Sequence, residues 1–131
     1  MKRLLDIVFS VAGLVTLSPV FIYIAIRIKA DTRGNVFYKQ KRVGKNGVEF
    51  YLYKFRTMQA DADKTGLLTY GNTDRRITGF GSFLRRNKLD ELPQLVNVLI
   101  GDMSIVGPRP EVKKYVDLYR KEQKQVLNVR P

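Results

Sequence analysis

Histidine, cysteine and tryptophan are all absent from this chain of 131 residues. Without cysteine there are no disulfides, no thiolate zinc sites and no thiol nucleophile. Without histidine there is no Ser-His-Asp triad, and the usual imidazole ligands of transition metals are missing. Negative charge is scarce too: 12 Asp+Glu stand against 24 Lys+Arg, a net charge of +12. Chemistry in such a chain starts from carboxylates, and the metal that suits them is a hard, oxygen-loving cation such as Mg²⁺. The basic excess points to an anionic partner, a description that fits nucleic acid, an anionic membrane surface or a phosphorylated small molecule. The length allows one modest core and not two independent ones.

From Ile7 to Ile26 no residue is charged, a run of about twenty residues that matches a straight helix across a ~30 Å hydrocarbon core. It is too long for the apolar part of a signal peptide, and no small-residue cleavage site precedes Arg27 and Lys29. Ser18-Pro19 falls near its middle, where proline removes a backbone N–H and clashes with the preceding turn. Lys2 and Arg3 stand before the run and Arg27, Lys29 and Arg33 after it, so both flanks carry the mark of the cytoplasmic side. We therefore read residues 1–30 as a re-entrant membrane helix hairpin bent at Ser18 and Pro19, with a single spanning helix as the alternative. Residues 31–131 then form a domain on the cytoplasmic face.

In that domain, two runs rich in β-branched and aromatic residues, 35–43 and 48–56, flank Asn46-Gly47 and predict a cationic β-hairpin. Asp61 and Asp63 do not share a helical face and read as surface, while Gly66, Gly71 and Asn72 mark a loop. Gly79 and Gly81 suit either a plain turn or a close backbone approach to a ligand. Leu92, Leu95, Val96, Leu99 and Ile100 follow helical spacing, with Gly101 placed to end the helix. Pro93 is tolerated only in a first turn, so that helix begins near Asp90, with Asp90 as its N-cap. Capping alone, worth ~1 kcal/mol, would explain Asp90 without any catalytic role. Beyond the stiff Gly107-Pro108-Arg109-Pro110 turn, a last helix is expected from Glu111 to Lys124. Val112, Tyr115, Val116 and Tyr119 share one of its faces, to lie in a membrane interface or to pack on a core.

Asp90 and Glu91 are adjacent and lie just after Arg85, Arg86 and Lys88. An acidic pair among cations at a helix start can hold a phosphate and a divalent metal together, which favours phosphoryl transfer. A membrane-tethered basic module for nucleic acid, drawing on the net charge and the cationic aromatic hairpin, is a competing function. A catalytically silent membrane scaffold is another.

Several blocks closely resemble the bacterial sugar transferase family, the monotopic polyprenyl-phosphate phosphoglycosyl transferases that start glycoconjugate assembly. They are Ser18-Pro19, Lys54-Phe-Arg-Thr-Met58, Leu89-Asp-Glu-Leu-Pro-Gln-Leu95, Asn97, Gly101-Asp-Met-Ser104 and Gly107-Pro-Arg-Pro110. The resemblance implies an α+β, mainly helical fold: a re-entrant anchor, one β-hairpin and amphipathic interfacial helices around a small catalytic domain. It also implies transfer of a sugar 1-phosphate from a UDP-sugar to a polyprenyl phosphate, usually undecaprenyl phosphate, with release of UMP and Mg²⁺ as cofactor. The pair matching Asp90 and Glu91 would supply the nucleophile and help bind the metal, and Arg85 and Arg109 would meet phosphate. The implied partners are the UDP-sugar, the polyprenyl phosphate and anionic membrane lipids, with no nucleic acid expected, at the cytoplasmic face of the bacterial inner membrane. Nearby arginines and the positive end of the helix dipole would keep Asp90 ionised. Two departures stand out. Many relatives have a small hydroxyl residue at the position of Lys88. Relatives also usually continue past the position of Pro131 through a Gly-rich segment, which implies a catalytic domain shortened at its C-terminus.

Overall fold

The computed structural model describes residues 1–60, 62–65 and 74–131. Asp61, Gly66, Gly71 and Asn72 lie outside the described residues, as does the side chain of Asp63. The order of elements is α1 (Lys2–Thr16), α2 (Ser18–Asp31), β1 (Phe37–Val43), β2 (Glu49–Phe55), α3 (Gly79–Arg86), α4 (Gln94–Ile100) and α5 (Lys113–Val116), with short 3-10 turns between. About half of the chain is helical, and β1 and β2 form a two-stranded sheet. The chain divides into two compact units: Met1–Thr16, Lys39–Tyr53 and Gln94–Pro131 make the first, and Leu17–Tyr38 with Lys54–Pro93 the second.

The apolar N-terminal run forms two helices. α1 ends at Thr16 and α2 begins at Ser18 with proline in its first turn, where a missing N–H breaks no helical bond. The pair is bent by 59°, and among the described residues no single helix is long and apolar enough to cross a membrane.

In the first unit, α1 has its polarity reversed. Arg3, Asp6, Ser10 and Gly13 recur three and four residues apart on one stripe, and Asp6 and Ser10 on it are buried, at 4 % and 0 % exposure. A Cβ on Gly13 would come within 3.1 Å of the Leu95 side chain of α4, so the helices approach closely there. Arg3 donates to the carbonyls of Val98 and Leu99 at the end of α4, a cation at the negative end of a helix. It serves packing as well as flank charge. The Asp6 carboxylate accepts from the Ser104 hydroxyl at 2.9 Å and from the Ile105 N–H at 3.1 Å. Leu4, Leu5, Val8, Phe9 and Val15 are exposed, so apolar side chains face outward where a water-facing helix would be polar.

The hairpin follows the Asn-Gly signal. Asn46 and Gly47 have φ of 59° and 75°, and the Gly44 N–H closes the loop on the Val48 carbonyl at 2.8 Å. Lys39 and Lys41 lie over the rings of Tyr53 and Tyr51, each 5.8 Å from the centroid, so those aromatic faces are covered by the chain's own lysines. On the β1 side, the Val43 N–H bonds the Glu111 carbonyl at 2.8 Å. On the β2 side, Asn97 acts like the peptide of a missing strand. Its Oδ1 accepts from the Tyr53 N–H at 3.0 Å, and its Nδ2 donates to the Tyr51 carbonyl at 2.7 Å. Asn97 is fully buried, and its own carbonyl accepts from the N–H groups of Gly101, Asp102 and Met103. Gly101, at φ 104°, ends α4 as expected.

The core of the second unit gathers Ile24 and Ile28 of α2, Phe55 of β2 and Leu84 of α3, with Phe21, Phe80 and Leu92 packed against them. Phe55 meets Phe21 and Phe37 at centroid distances of 5.3 and 5.4 Å.

Two expectations need correction. The buried residues of α4 are Asn97 and Val98, while Ile100 is 58 % exposed. The apolar stripe misplaced the inner face because α4 uses one side for α1 and offers a polar amide to β2. The helix expected over 111–124 is only the single turn of α5, followed by a 3-10 segment at Gln123–Asn128. The Arg120 N–H is taken by the Gln123 side chain at 2.8 Å instead of a helical carbonyl, and so short a basic helix gains little from propagation.

Asn97→Ala would remove the side-chain partner of the Tyr51 carbonyl and of the Tyr53 N–H, two part-buried bonds. We expect a stability loss of roughly 2–4 kcal/mol by urea unfolding, at ~1–3 kcal/mol per orphaned group; a loss within error would show that the amide does not hold β2.

Candidate active site

The acidic pair lies in the second unit on a 3-10 turn, Leu89–Glu91, entered from α3 through Asn87 and Lys88. Lys88 has φ 58°, a left-handed conformation that costs a non-glycine residue roughly 1–2 kcal/mol. This tightens the reversal: the Lys88 N–H bonds the Arg85 carbonyl at 3.2 Å, and the Glu91 N–H the Lys88 carbonyl at 3.4 Å. With three residues per turn, neighbouring side chains point about 120° apart. Asp90 therefore turns inward, at 8 % exposure, while the Glu91 side chain is 34 % exposed. Asp90 is inside this turn and α4 starts only at Gln94, so Asp90 does not cap α4, correcting the N-cap expectation. Pro93, just before α4, separates the two turns.

Lys54, from β2, places Nζ 3.5 Å from Glu91 Oε1. Arg85, in the last turn of α3, donates through Nε to the Thr57 hydroxyl at 2.8 Å. Thr57 is itself buried, and its carbonyl accepts the Thr78 N–H at 3.0 Å. Thr78 is the N-cap of α3, its hydroxyl accepting from the Gly81 N–H at 2.9 Å. A Cβ at Gly81 would overlap the Thr57 carbonyl. Gly81 thus allows a close approach, but to the chain's own backbone. Asp74 and Arg76 form an ion pair at 2.7 Å and act on Arg85 with opposite signs.

Burial dominates the electrostatics. It pushes the Asp90 carboxyl above its ordinary value, Lys54 pulls it back most strongly, Glu91 adds to the rise and Arg85 opposes it. Burial likewise pulls Arg85 below its ordinary value, against the attraction of Asp90 and then Asp74, although a guanidinium stays a cation throughout. The expectation that arginines and a helix dipole hold Asp90 ionised is corrected in balance: desolvation outweighs them, and the chief cation is a lysine. A desolvated carboxylate kept from neutralising by nearby cations has the character of a nucleophile.

Arg109 lies in the first unit, exposed, lining an open cleft with Pro108, Pro110, Val116 and Tyr119. Ser18 and Pro19 stand exposed at the start of α2. Among the described residues no three Asp or Glu side chains form a metal-binding group. The sequence bears unevenly on the supporting residues Lys54, Thr57, Asp74 and Arg76. Lys54 and Thr57 share the Lys54–Met58 block, which is the one signal that marks them, and nothing in the local pattern marks Asp74 or Arg76.

The model of the family described as bacterial sugar transferase matches residues 1–131. A Bacillus subtilis protein provisionally named undecaprenyl-phosphate N-acetylgalactosaminyl 1-phosphate transferase is 46 % identical over 121 residues, 92 % of this chain and 68 % of its own length. The UDP-glucose:undecaprenyl-phosphate glucose-1-phosphate transferase of Xanthomonas campestris pv. campestris is 47 % identical over 121 residues, covering 92 % of this chain and 25 % of that protein. The exopolysaccharide production protein PSS of Rhizobium leguminosarum bv. phaseoli is 47 % identical over 110 residues, 83 % of this chain and 55 % of its own. The chain thus spans about two thirds of the first relative, about half of the third and a quarter of the second.

With the folded-state pKa of Asp90 above the ordinary 3.8, the folded chain holds that proton more tightly. Ionising Asp90 costs stability as pH rises through that window, and the carboxylate is lost as pH falls back through it. Lys54→Met should move the Asp90 titration, followed by carboxyl ¹³C NMR, to still higher pH; an unmoved or lowered midpoint would remove Lys54 as the controlling charge. Gly81→Ala should cost ~1–3 kcal/mol in urea unfolding through overpacking against Thr57, and wild-type stability would show that the approach relaxes freely.

Proposed function

The chain belongs to the bacterial sugar transferase family, and from that premise we propose that it moves a sugar 1-phosphate from a UDP-sugar to undecaprenyl phosphate. The observation that carries this reading is the division of labour at the 3-10 turn: a buried Asp90 beside Arg85 and Lys54, and an accessible Glu91. Two relatives are named for this class of transfer, with N-acetylgalactosamine in one and glucose in the other.

One Asp90 Oδ attacks the phosphorus that bears the sugar, and the bond from that phosphorus to the UMP oxygen breaks, releasing UMP. The resulting aspartyl-phosphosugar is then attacked at the same phosphorus by an oxygen of the polyprenyl phosphate. The carboxylate is restored and the product is a polyprenyl diphosphate sugar, so one hard transfer becomes two easier ones. Lys54 and Arg85 offset charge that builds on the phosphate oxygens, and Arg109 serves the same class of anion. No proton need move through a histidine, consistent with the chain having none. Glu91, with Asp90 beside it, would hold Mg²⁺, which takes one or two protein carboxylates and fills its other positions with phosphate oxygens and water. Bound there, the metal would neutralise diphosphate charge.

The lipid acceptor accounts for α1 and α2. Outward apolar side chains on α1 and the bend at Ser18-Pro19 suit a re-entrant anchor in the cytoplasmic leaflet, with basic flanks at the anionic surface. The acceptor tail stays in the leaflet while its phosphate reaches the catalytic turn.

Asp90→Asn should lower UMP release from a UDP-sugar panel with Mg²⁺ and undecaprenyl phosphate at least about a thousandfold. The fold should be retained, since a neutral amide escapes the burial penalty. Mass spectrometry of the wild-type chain mixed with each UDP-sugar should find a phosphosugar on the Asp90 peptide. Full turnover by Asp90→Asn would remove it as nucleophile.

A further inference from the structure

Met103–Gly107, in the first unit, carries two adjacent aliphatic side chains at the surface: Ile105 is 47 % exposed and Val106 73 %. The backbone beneath them is tied down. Asp6 accepts the Ile105 N–H at 3.1 Å and the Ser104 hydroxyl at 2.9 Å. Lys2 Nζ donates to the Val106 carbonyl at 3.0 Å, and Gly107 lies against the backbone of Arg130 and Pro131. Apolar tips above a backbone whose Ile105 N–H and Val106 carbonyl are bonded suit an apolar medium, where an orphaned backbone group is expensive. The ties from Asp6 and Lys2 come from the first turns of α1, the helix whose Leu4, Leu5, Val8 and Phe9 face outward while Asp6 and Ser10 turn inward. The exposed aliphatics of the loop adjoin that apolar surface, and Lys2 adds a cation at its rim.

We propose that Ile105 and Val106 form a second membrane contact, seated in the interfacial region of an anionic phospholipid bilayer beside the start of α1. The occupant is lipid because the loop continues an already reversed helix surface and carries a cation at the edge, a pattern that suits anionic headgroups. The consequence is positional. Gly107-Pro108-Arg109-Pro110 follows directly, and prolines on both sides of Arg109 stiffen it. The loop therefore fixes Arg109 at headgroup depth, where a lipid-borne phosphate lies. This inference rests on reading α1 and α2 as a membrane anchor.

Because the chain contains no tryptophan and no cysteine, one introduced residue is a unique reporter. Val106→Trp and Val8→Trp, each in the whole chain, would be reconstituted into phosphatidylcholine–phosphatidylglycerol vesicles carrying spin labels either near the headgroup or deep in the acyl chains. We expect blue-shifted Val106→Trp emission quenched mainly by the shallow label, and quenching of Val8→Trp as well. Quenching of Val8→Trp alone overturns the loop contact and leaves the anchor standing. Quenching of neither overturns both. A blue shift of Val106→Trp that follows protein concentration and not lipid assigns the patch to a second copy of the chain and also overturns the proposal. Should tryptophan at 106 disturb folding, Val106→Cys should be protected in vesicles from a membrane-impermeant maleimide that labels Lys121→Cys readily. Equal labelling of the two counts against the contact.

Discussion

The carbonyl of Thr57 can reach the first turn of α3 only because Gly81 has no side chain there, and the turn that carries Asp90 and Glu91 inherits its geometry from that approach. One buried threonine makes contacts in two directions. Its carbonyl takes the N–H of the helix cap Thr78, and its hydroxyl holds Arg85 one helix length away. α3 is thereby locked in both position and rotation, and the Asn87-Lys88 reversal that follows delivers Asp90 inward and Glu91 outward. A left-handed lysine at 88 is strained, yet a looser turn would not separate two neighbouring carboxylates so sharply.

Burial and charge oppose each other at Asp90, and the opposition is useful. Desolvation makes the carboxylate harder to ionise, while Lys54 and Arg85 limit how far that goes. The same cations suit an incoming phosphate, so in the proposed transfer the groups that ready Asp90 would also receive its target. Lys54 reaches the site from β2, the strand whose earlier residues Tyr51 and Tyr53 are gripped by Asn97. A two-stranded sheet is marginal by itself, and here its edges are completed by an amide on one side and by the Glu111 backbone on the other.

α1 shows how a helix with an outward apolar face is built when its protein-facing side must also be specific. The small and polar residues Ser10 and Gly13 permit close packing on α4, and Asp6 and Arg3 add directional bonds to backbone groups. A charged pair of positions in the first turns of an apolar helix would be a defect if it faced lipid. Facing the protein, it pins both the end of α4 and the Ser104–Ile105 segment.

Periodicity, turn chemistry and composition were enough to place the two N-terminal helices with their proline bend, the Asn-Gly hairpin, the glycine stop after α4 and the acidic pair among cations. Those features are local: φ/ψ preference, charge and the missing N–H of proline act within a few residues. Helix orientation was not legible, because Asn97 looks like a surface residue until a strand edge needs an amide, and Asp6 looks like a flank charge until Ser104 and Ile105 need an acceptor. Nor was the surrounding of Asp90, since Thr57, Asp74 and Arg76 lie 14 to 33 positions away in the chain and act there through Arg85, by a hydrogen bond and by charge. The sequence by itself determined which groups are available for phosphate chemistry. Tertiary structure alone decided which of two adjacent carboxylates is buried and which cations govern it, because desolvation and long-range contacts exist only once the chain has folded.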